Sequence, residues 1–210
     1  IQFTSGTTGF PKGASLNHFN VLNNALYMGA NLDVTDKDVI CCPLPLYHCF
    51  GMVVGNLMGL NFGCPVVLPS INGFDPKETL EAISDHSATA VFAVPTMYIA
   101  MIEELHKNKD KYKLGSLRTG LTGGSQCTEA LMLRINKEFG VKGFTPAYGL
   151  TETSPAITYG GMDDPISLKC NTVGRIGAGV EGKIVDPNSG DTLPFGETGE
   201  LWVRGYLTMK

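Results

Sequence analysis

Ala90-Val91-Phe92-Ala93-Val94 is an unbroken apolar run, and behind it Met97, Met101 and Leu105 recur every four residues from Thr96. A run apolar at every position suits a strand covered on both faces. The four-residue recurrence suits a helix that buries one face. The couplet repeats along the chain. Val39-Ile40-Cys41-Cys42, Pro65-Val66-Val67-Leu68 and Leu117-Arg118-Thr119-Gly120-Leu121 read as further buried strands. Asp75-Pro76-Lys77-Glu78 starts a helix with an acidic N-cap, proline at the first helical position and glutamate at the third. Leu80 and Ile83 give it an inward face, and it should end near His86. From Thr128, the residues Leu131, Ile135 and Phe139 form another stripe, and Gly140 stops it. These stripes read as core faces, not cofactor contacts. Strand alternating with helix predicts an α/β fold, a layered and mainly parallel sheet with helices.

After about Asn171 the texture changes. Glycines crowd Thr172-Val173-Gly174-Arg175-Ile176-Gly177, and Glu181-Gly182-Lys183-Ile184-Val185 leads into the turn cluster Asp186–Asp191. Gly199–Gly205 reads as another strand, with no helical pattern between. We therefore expect an α/β core over residues 1–170 and, over 171–210, the start of a small antiparallel or barrel-like β subdomain cut short at Lys210.

The chain has 210 residues, with 16 basic and 20 acidic side chains and a formal net charge of -4. No basic stripe is present, so nucleic acid is not an expected partner, and an anionic ligand must be held by local donors. The six cysteines, Cys41, Cys42, Cys49, Cys64, Cys127 and Cys170, show no zinc spacing and read as buried free thiols of a reducing, intracellular compartment. No apolar run reaches the length of a membrane span, because glycines, asparagines and Pro65 interrupt the best candidate, Phe50–Leu68. The chain begins at Ile1, shows no signal peptide, and reads as a piece of something longer.

Four motifs carry chemistry. Thr4-Ser5-Gly6-Thr7-Thr8-Gly9-Phe10-Pro11-Lys12-Gly13 packs three glycines, four hydroxyls and a lysine into ten residues. Glycine lets backbone N–H groups approach phosphate oxygens, hydroxyls add donors, and lysine adds a point charge. It is not a Walker A loop: Gly13 follows Lys12 where that motif needs Ser or Thr, and Pro11 interrupts the helix start. Ala147-Tyr148-Gly149-Leu150-Thr151-Glu152-Thr153 follows a short predicted strand, at the edge where open α/β sheets bind ligands. Tyr148 offers a ring for stacking a base, Thr151 a hydroxyl and Glu152 an oxygen ligand for Mg²⁺; alone, the same residues are also a turn with a solvated glutamate. Leu121-Thr122-Gly123-Gly124-Ser125 is either a tight turn or a place where a nucleobase lies on the backbone. In Pro43–Gly51, His48 is a base, a gate or a ligand, although a lone histidine in an apolar setting is more often a packed core residue.

Together these motifs resemble the adenylate-forming superfamily of acyl-CoA synthetases, firefly-type luciferases and peptide-synthetase adenylation domains. Thr4–Gly13 looks like its phosphate loop, Tyr148–Glu152 its aromatic-Gly-x-Thr-Glu motif, and Gly199–Gly205 a further signature strand. Gly123, Gly124 and Ser125 sit where the family contacts adenine. Leu44–Gly51 is similar to the acyl-CoA synthetase branch, and the chain resembles mammalian mitochondrial medium-chain enzymes. The resemblance implies ATP, Mg²⁺, a fatty acid and coenzyme A as ligands, and a mitochondrial matrix location. It also implies two steps, acyl-adenylate formation and then transfer to the thiol. It implies that Lys12 and the loop hold the phosphates, Thr151 touches the α-phosphate, Tyr148 and Gly149 flank the adenine and substrate, Glu152 holds the metal, and His48 lies near the acyl tunnel. The family's ribose-binding aspartate and the small C-terminal domain with its lysine have no counterpart here, so the piece by itself should turn over weakly or not at all. The competing expectation is a non-catalytic nucleotide- or acyl-binding module of the same fold.

Overall fold

The computed structural model describes residues 1–4, 9–108 and 110–210. Chain order runs β1 (Gln2–Thr4), β2 (Lys12–Ala14), α1 (His18–Asn31), β3 (Ile40–Cys41), a π-helix (Phe50–Leu57) continued by α2 (Met58–Phe62), and β4 (Val66–Val67). Next come α3 (Pro76–Asp85), β5 (Ala90–Ala93), α4 (Pro95–Lys107), β6 (Thr119–Thr122), α5 (Glu129–Phe139) and β7 (Gly143–Gly149). A 3₁₀ turn (Thr151–Thr153), β8 (Ala156–Tyr159), α6 (Ile166–Asn171), β9 (Arg175–Ile176), β10 (Val180–Val185) and β11 (Glu200–Gly205) complete it.

Among the described residues the main sheet has seven strands in the order β4-β3-β5-β6-β7-β8-β9. β4 through β7 are parallel neighbours, whereas β8 and β9 add antiparallel pairs. The expected α/β architecture with a mainly parallel sheet is therefore what forms. β5 explains why its sequence is apolar throughout. Val91 and Ala93 pack into a core under α3, α4 and α5, while Ala90 and Phe92 pack into a second core under α1, the π-helix and α2. The chain leaves β3 outward to β4, then returns past β3 to β5. Segments leaving the carboxyl ends of β3 and β5 thus depart to opposite faces of the sheet, the arrangement that opens a ligand crevice.

The helix starts follow their caps. Asp75 accepts the Glu78 N–H at 2.8 Å, and Thr128 caps α5 through the Leu131 N–H. In α4 the inward stripe is Tyr98, Met101, Ile102 and Leu105; Met97, expected on that stripe, is only half-buried at the rim. α4 opens on Pro95, and Tyr98 points inward with its hydroxyl 2.8 Å from the Val91 carbonyl and 3.1 Å from that of Leu121. Helix α1 and the π-helix have no counterpart in the sequence expectations. α1 hides its apolar stripe, Val21, Ala25 and Met28, among asparagines, two of which are buried because they bond backbone rather than water. The β10–β11 pair is antiparallel, and Arg175–Ile176 before it joins the main sheet as β9.

The amino-terminal edge of the sheet is tied by Asp38. Its carboxylate accepts from Arg118 Nε (2.8 Å) and Nη2 (2.6 Å), from the Thr89 hydroxyl (2.6 Å) and from the Thr35 N–H (2.9 Å). Burial alone would raise its pKa, but the bonds from Arg118, Thr89 and Thr35, with the Arg118 charge, outweigh it and hold the group at about 2. A carboxyl with a depressed folded pKa stabilises the fold above its unfolded value of about 3.9, and that contribution fades as pH falls from there to the folded value. Asp38→Asn should therefore lower unfolding free energy by about 2 kcal/mol at pH 7. In urea titrations the difference from wild type should vanish between about pH 4 and pH 2, whereas a pH-independent difference would contradict the ion pair's role.

Candidate active site

At the carboxyl edge of the sheet, β7 delivers Tyr148 and Gly149 and then reverses into β8. The two backbones nearly touch there, and a Cβ on Gly149 would lie 1.8 Å from the Pro155 carbonyl oxygen. The reversal is closed by hydrogen bonds. Leu150 N–H donates to Pro155 O (3.0 Å) and to Thr153 Oγ1 (3.0 Å). Ser154 Oγ donates to Leu207 O at 2.8 Å, and the Met209 N–H donates to Glu152 O at 2.9 Å. On the other side, the Asn24 amide of α1 brackets Ala156, donating to its carbonyl (2.8 Å) and accepting its N–H (3.1 Å). The Thr-Glu turn is thus clamped by α1 and by the chain's last residues.

The amino-terminal hairpin stands against this turn. β1 and β2 pair so that Thr4 faces Lys12 across the ladder, and β1 contacts the 151–153 turn. Ser5, Gly6, Thr7 and Thr8 lie outside the described residues. Gly9 has φ 115°, a conformation open to glycine, and Phe10 is 89% exposed beside an exposed Pro11.

A cavity of about 550 Å³ opens between these parts. Thr4, Lys12 and His48 border it, as do Gly123 and Gly124 at the end of β6. Tyr148, Gly149, Thr151 and Glu152 form the facing wall. An adjoining cavity of about 660 Å³ shares Gly124 and Tyr148 with the first and is bordered by Ser125. Tyr148, 38% exposed, thus stands between the two. Of the residues singled out in sequence, Gly9, Phe10 and Pro11 border neither cavity. The Gly123-Gly124 pair is a tight turn that also faces the cavity. Gly124 has φ 80°, and a Cβ on Gly123 would sit 3.2 Å from Ala147 O and 3.4 Å from the Phe50 ring.

His48 is exposed and borders the cavity, so it is not the packed core residue that a lone histidine in an apolar setting more often is. Its Nδ1 accepts the Phe50 N–H at 3.1 Å and so caps the π-helix, one of whose first N–H groups would otherwise lack a partner. That bond leaves Nε2 as the protonated nitrogen of the neutral ring. Partial burial lowers the His48 pKa, which favours the neutral imidazole. Sequence reasoning missed the apolar wall supplied by Phe50 and Val54 of the π-helix with Leu121 and Ala156. It also missed Cys49, 1% exposed, whose thiol lies 3.8 Å from Thr151 Oγ1. The available signals were the position of Cys49 and Phe50 directly after His48 and that of Leu121 at the head of the Gly123-Gly124 motif.

Among the described residues no group of three or more His, Cys, Asp or Glu side chains forms a ready-made metal centre. A single half-buried carboxylate, Glu152, borders the cavity. That donor set fits Mg²⁺, which keeps several waters and takes one or two carboxylates together with substrate phosphates.

The sequence matches the AMP-binding enzymes over residues 1–210. The chain belongs to that family. It is 43% identical over 211 residues to the mitochondrial medium-chain acyl-CoA ligase of Danio rerio, covering 100% of this chain and 34% of that protein. It is 41% identical over 210 residues to the acyl-CoA ligase SID4 of Ajellomyces capsulatus, covering 100% of this chain and 35% of that protein. The ATP-bound structure of MatB from Rhodopseudomonas palustris superposes with a TM-score of 0.86 at 29% identity, over 100% of this chain and 40% of that one. The chain therefore spans about a third of the length of the relatives it matches, and the resemblance to adenylate-forming enzymes drawn from its motifs holds.

The close approach at Gly149 makes a direct test of the reversal between β7 and β8. Gly149→Ala should cost about 3 kcal/mol in thermal or urea unfolding, because the obstructing atom is a backbone carbonyl and cannot swing aside. Unchanged stability would contradict the β7–β8 contact.

Proposed function

We propose that the protein containing this chain is a fatty acid–CoA ligase of medium-chain type. A fatty carboxylate oxygen attacks the α-phosphorus of ATP, the bond to the β-phosphate oxygen breaks, and pyrophosphate leaves. The thiol of coenzyme A then gives up its proton to solvent, its sulfur attacks the acyl carbon, and AMP leaves. The observation that carries this reading is the meeting of the hairpin stem, the Thr-Glu turn and an apolar wall on one cavity.

The electrostatic problem is an anion approaching a polyanion. Two unit charges 4 Å apart repel by about 1 kcal/mol in water and about 4 kcal/mol near a protein surface. Lys12 and the hydroxyls and N–H groups of the Thr4–Gly13 sequence would hold the β- and γ-phosphates. Thr151 would donate to the α-phosphate, where charge moves during attack. Tyr148 would stack on the adenine, with Gly123, Gly124 and Ser125 beyond it and Gly149 behind. Glu152 would hold Mg²⁺, which supplies charge neutralisation on the phosphates when bound. His48, neutral and with Nε2–H to offer, would face the acid at the mouth of the apolar wall. That wall accounts for a fatty chain rather than an amino acid as the acyl group. The likeness to mitochondrial relatives in Danio rerio and Mus musculus supports a matrix location, although other relatives are fungal and bacterial. Among the described residues no helix is long and apolar enough to cross a membrane.

Fatty-acid-dependent exchange of pyrophosphate into ATP tests the reading in the full-length protein. Exchange should appear with medium-chain acids. Lys12→Ala should lower kcat/KM for ATP by about 100-fold while leaving acid binding within about twofold. No exchange with any carboxylate would overturn the ligase and favour a non-catalytic binding module. Glu152→Gln should raise the Mg²⁺ concentration needed for half-maximal exchange, and an unchanged requirement would remove Glu152 from the metal.

A further inference from the structure

The thiol of Cys49 is the one side-chain hydrogen bond recorded among the described residues between the 48–57 segment and the Thr-Glu turn. The two flanking groups of that turn are tied elsewhere. Thr153 Oγ1 accepts the Leu150 N–H and lies 2.8 Å from Pro155 O, and the Glu152 carbonyl accepts the Met209 N–H. Thr151 Oγ1, by contrast, has Cys49 Sγ as its recorded partner, at 3.8 Å, within the range of a sulfur hydrogen bond. The thiol is placed to act as the donor to Thr151 Oγ1. Burial pushes its pKa up, so it keeps its proton, and Sγ sits 4.0 Å from His48 Nδ1, whose lone pair already accepts the Phe50 N–H at 3.1 Å. A hydroxyl that accepts one hydrogen bond and donates none keeps its own proton free. Both residues border the cavity, so that proton is available to a ligand oxygen there.

We infer that Cys49 is a positioning residue: its S–H donates to Thr151 Oγ1 and sets the hydroxyl so that Thr151 donates into the cavity, onto the phosphate oxygen of an acyl-phosphate transition state. This deepens the ligase reading and rests on it for the identity of the acceptor, but the contact itself does not. The consequence is a coupling between the two halves of the site. Cys49 begins the segment whose next residues, Phe50 and Val54, line the apolar wall. Thr151 sits on the phosphate side. Displacement of the π-helix by the wrong acyl chain would therefore be felt at the Thr151 hydroxyl.

Two measurements on the full-length protein test this. In pyrophosphate exchange, Cys49→Ala should lower kcat by about three- to tenfold, the worth of one hydrogen bond, with KM for the acid changed less than twofold. In the Thr151→Val background, Cys49→Ala should cost nothing further. A purely structural cysteine would lower kcat by the same factor in both backgrounds, or not at all in either, and both results would overturn the proposal. The second measurement needs no activity. The Raman S–H stretching band of Cys49, identified as the band that Cys49→Ala removes, should move to higher frequency in Thr151→Val as the thiol loses its acceptor. A band that does not move would show that the contact is absent whatever reaction the protein performs. A band that moves in a protein without exchange activity would preserve the contact and count against the ligase reading instead.

Discussion

The backbones of β7 and β8 meet at Gly149 and Pro155 with no room for a side chain between them, and the site is arranged around that contact. It forces β7 to reverse within a few residues at the carboxyl edge of the sheet. Tyr148 is left at the boundary between two cavities, and Thr151 and Glu152 are held on a short turn against the amino-terminal hairpin. A freely moving loop could not keep three such groups in register. Here the Asn24 side-chain amide, the Leu207 carbonyl and the Met209 N–H fasten the reversal, so its position is set by elements far apart in sequence.

The two edges of the sheet divide the work. At the amino-terminal edge, Asp38 and Arg118 tie the loops before β3 and β6 with charge-assisted hydrogen bonds and face no cavity of the site. At the carboxyl edge the polar groups are left available: Lys12 is exposed, Thr151 and Glu152 are half-buried, and His48 offers its Nε2–H. A rigid parallel sheet with cores on both faces is what allows one edge to hold its polar groups ready without collapse.

Local order in the sequence carried much of this. β5 and the stripes of α3 and α5 were legible because burial on both faces, or on one helical face, leaves a direct mark on residue type. Tyr148, Thr151 and Glu152 were legible as one cluster because they lie within five residues at a strand end, and the fold brings all three to one cavity. α1 was not legible, since Asn20 and Asn24 interrupt its apolar stripe and their justification is a backbone partner more than 130 residues away. The π-helix escaped because its glycines, Gly51 and Gly55, read as breaks, whereas they admit the Pro45 carbonyl and the Cys42 side chain. The exposure of His48 was not legible because its neighbours in sequence are apolar, although its ring caps a helix at the surface. Cys49 joins Thr151 across 102 positions, a relation that only the fold creates.

The central claim is that the hairpin stem and the Thr-Glu turn grip one nucleotide between them. A crystal structure of the full-length protein with a non-hydrolysable ATP analogue tests it most directly. The account predicts the triphosphate between Lys12 Nζ and Thr151 Oγ1, with the base against the Tyr148 ring. A nucleotide bound with its phosphates touching neither residue, or with its base away from Tyr148, would contradict it.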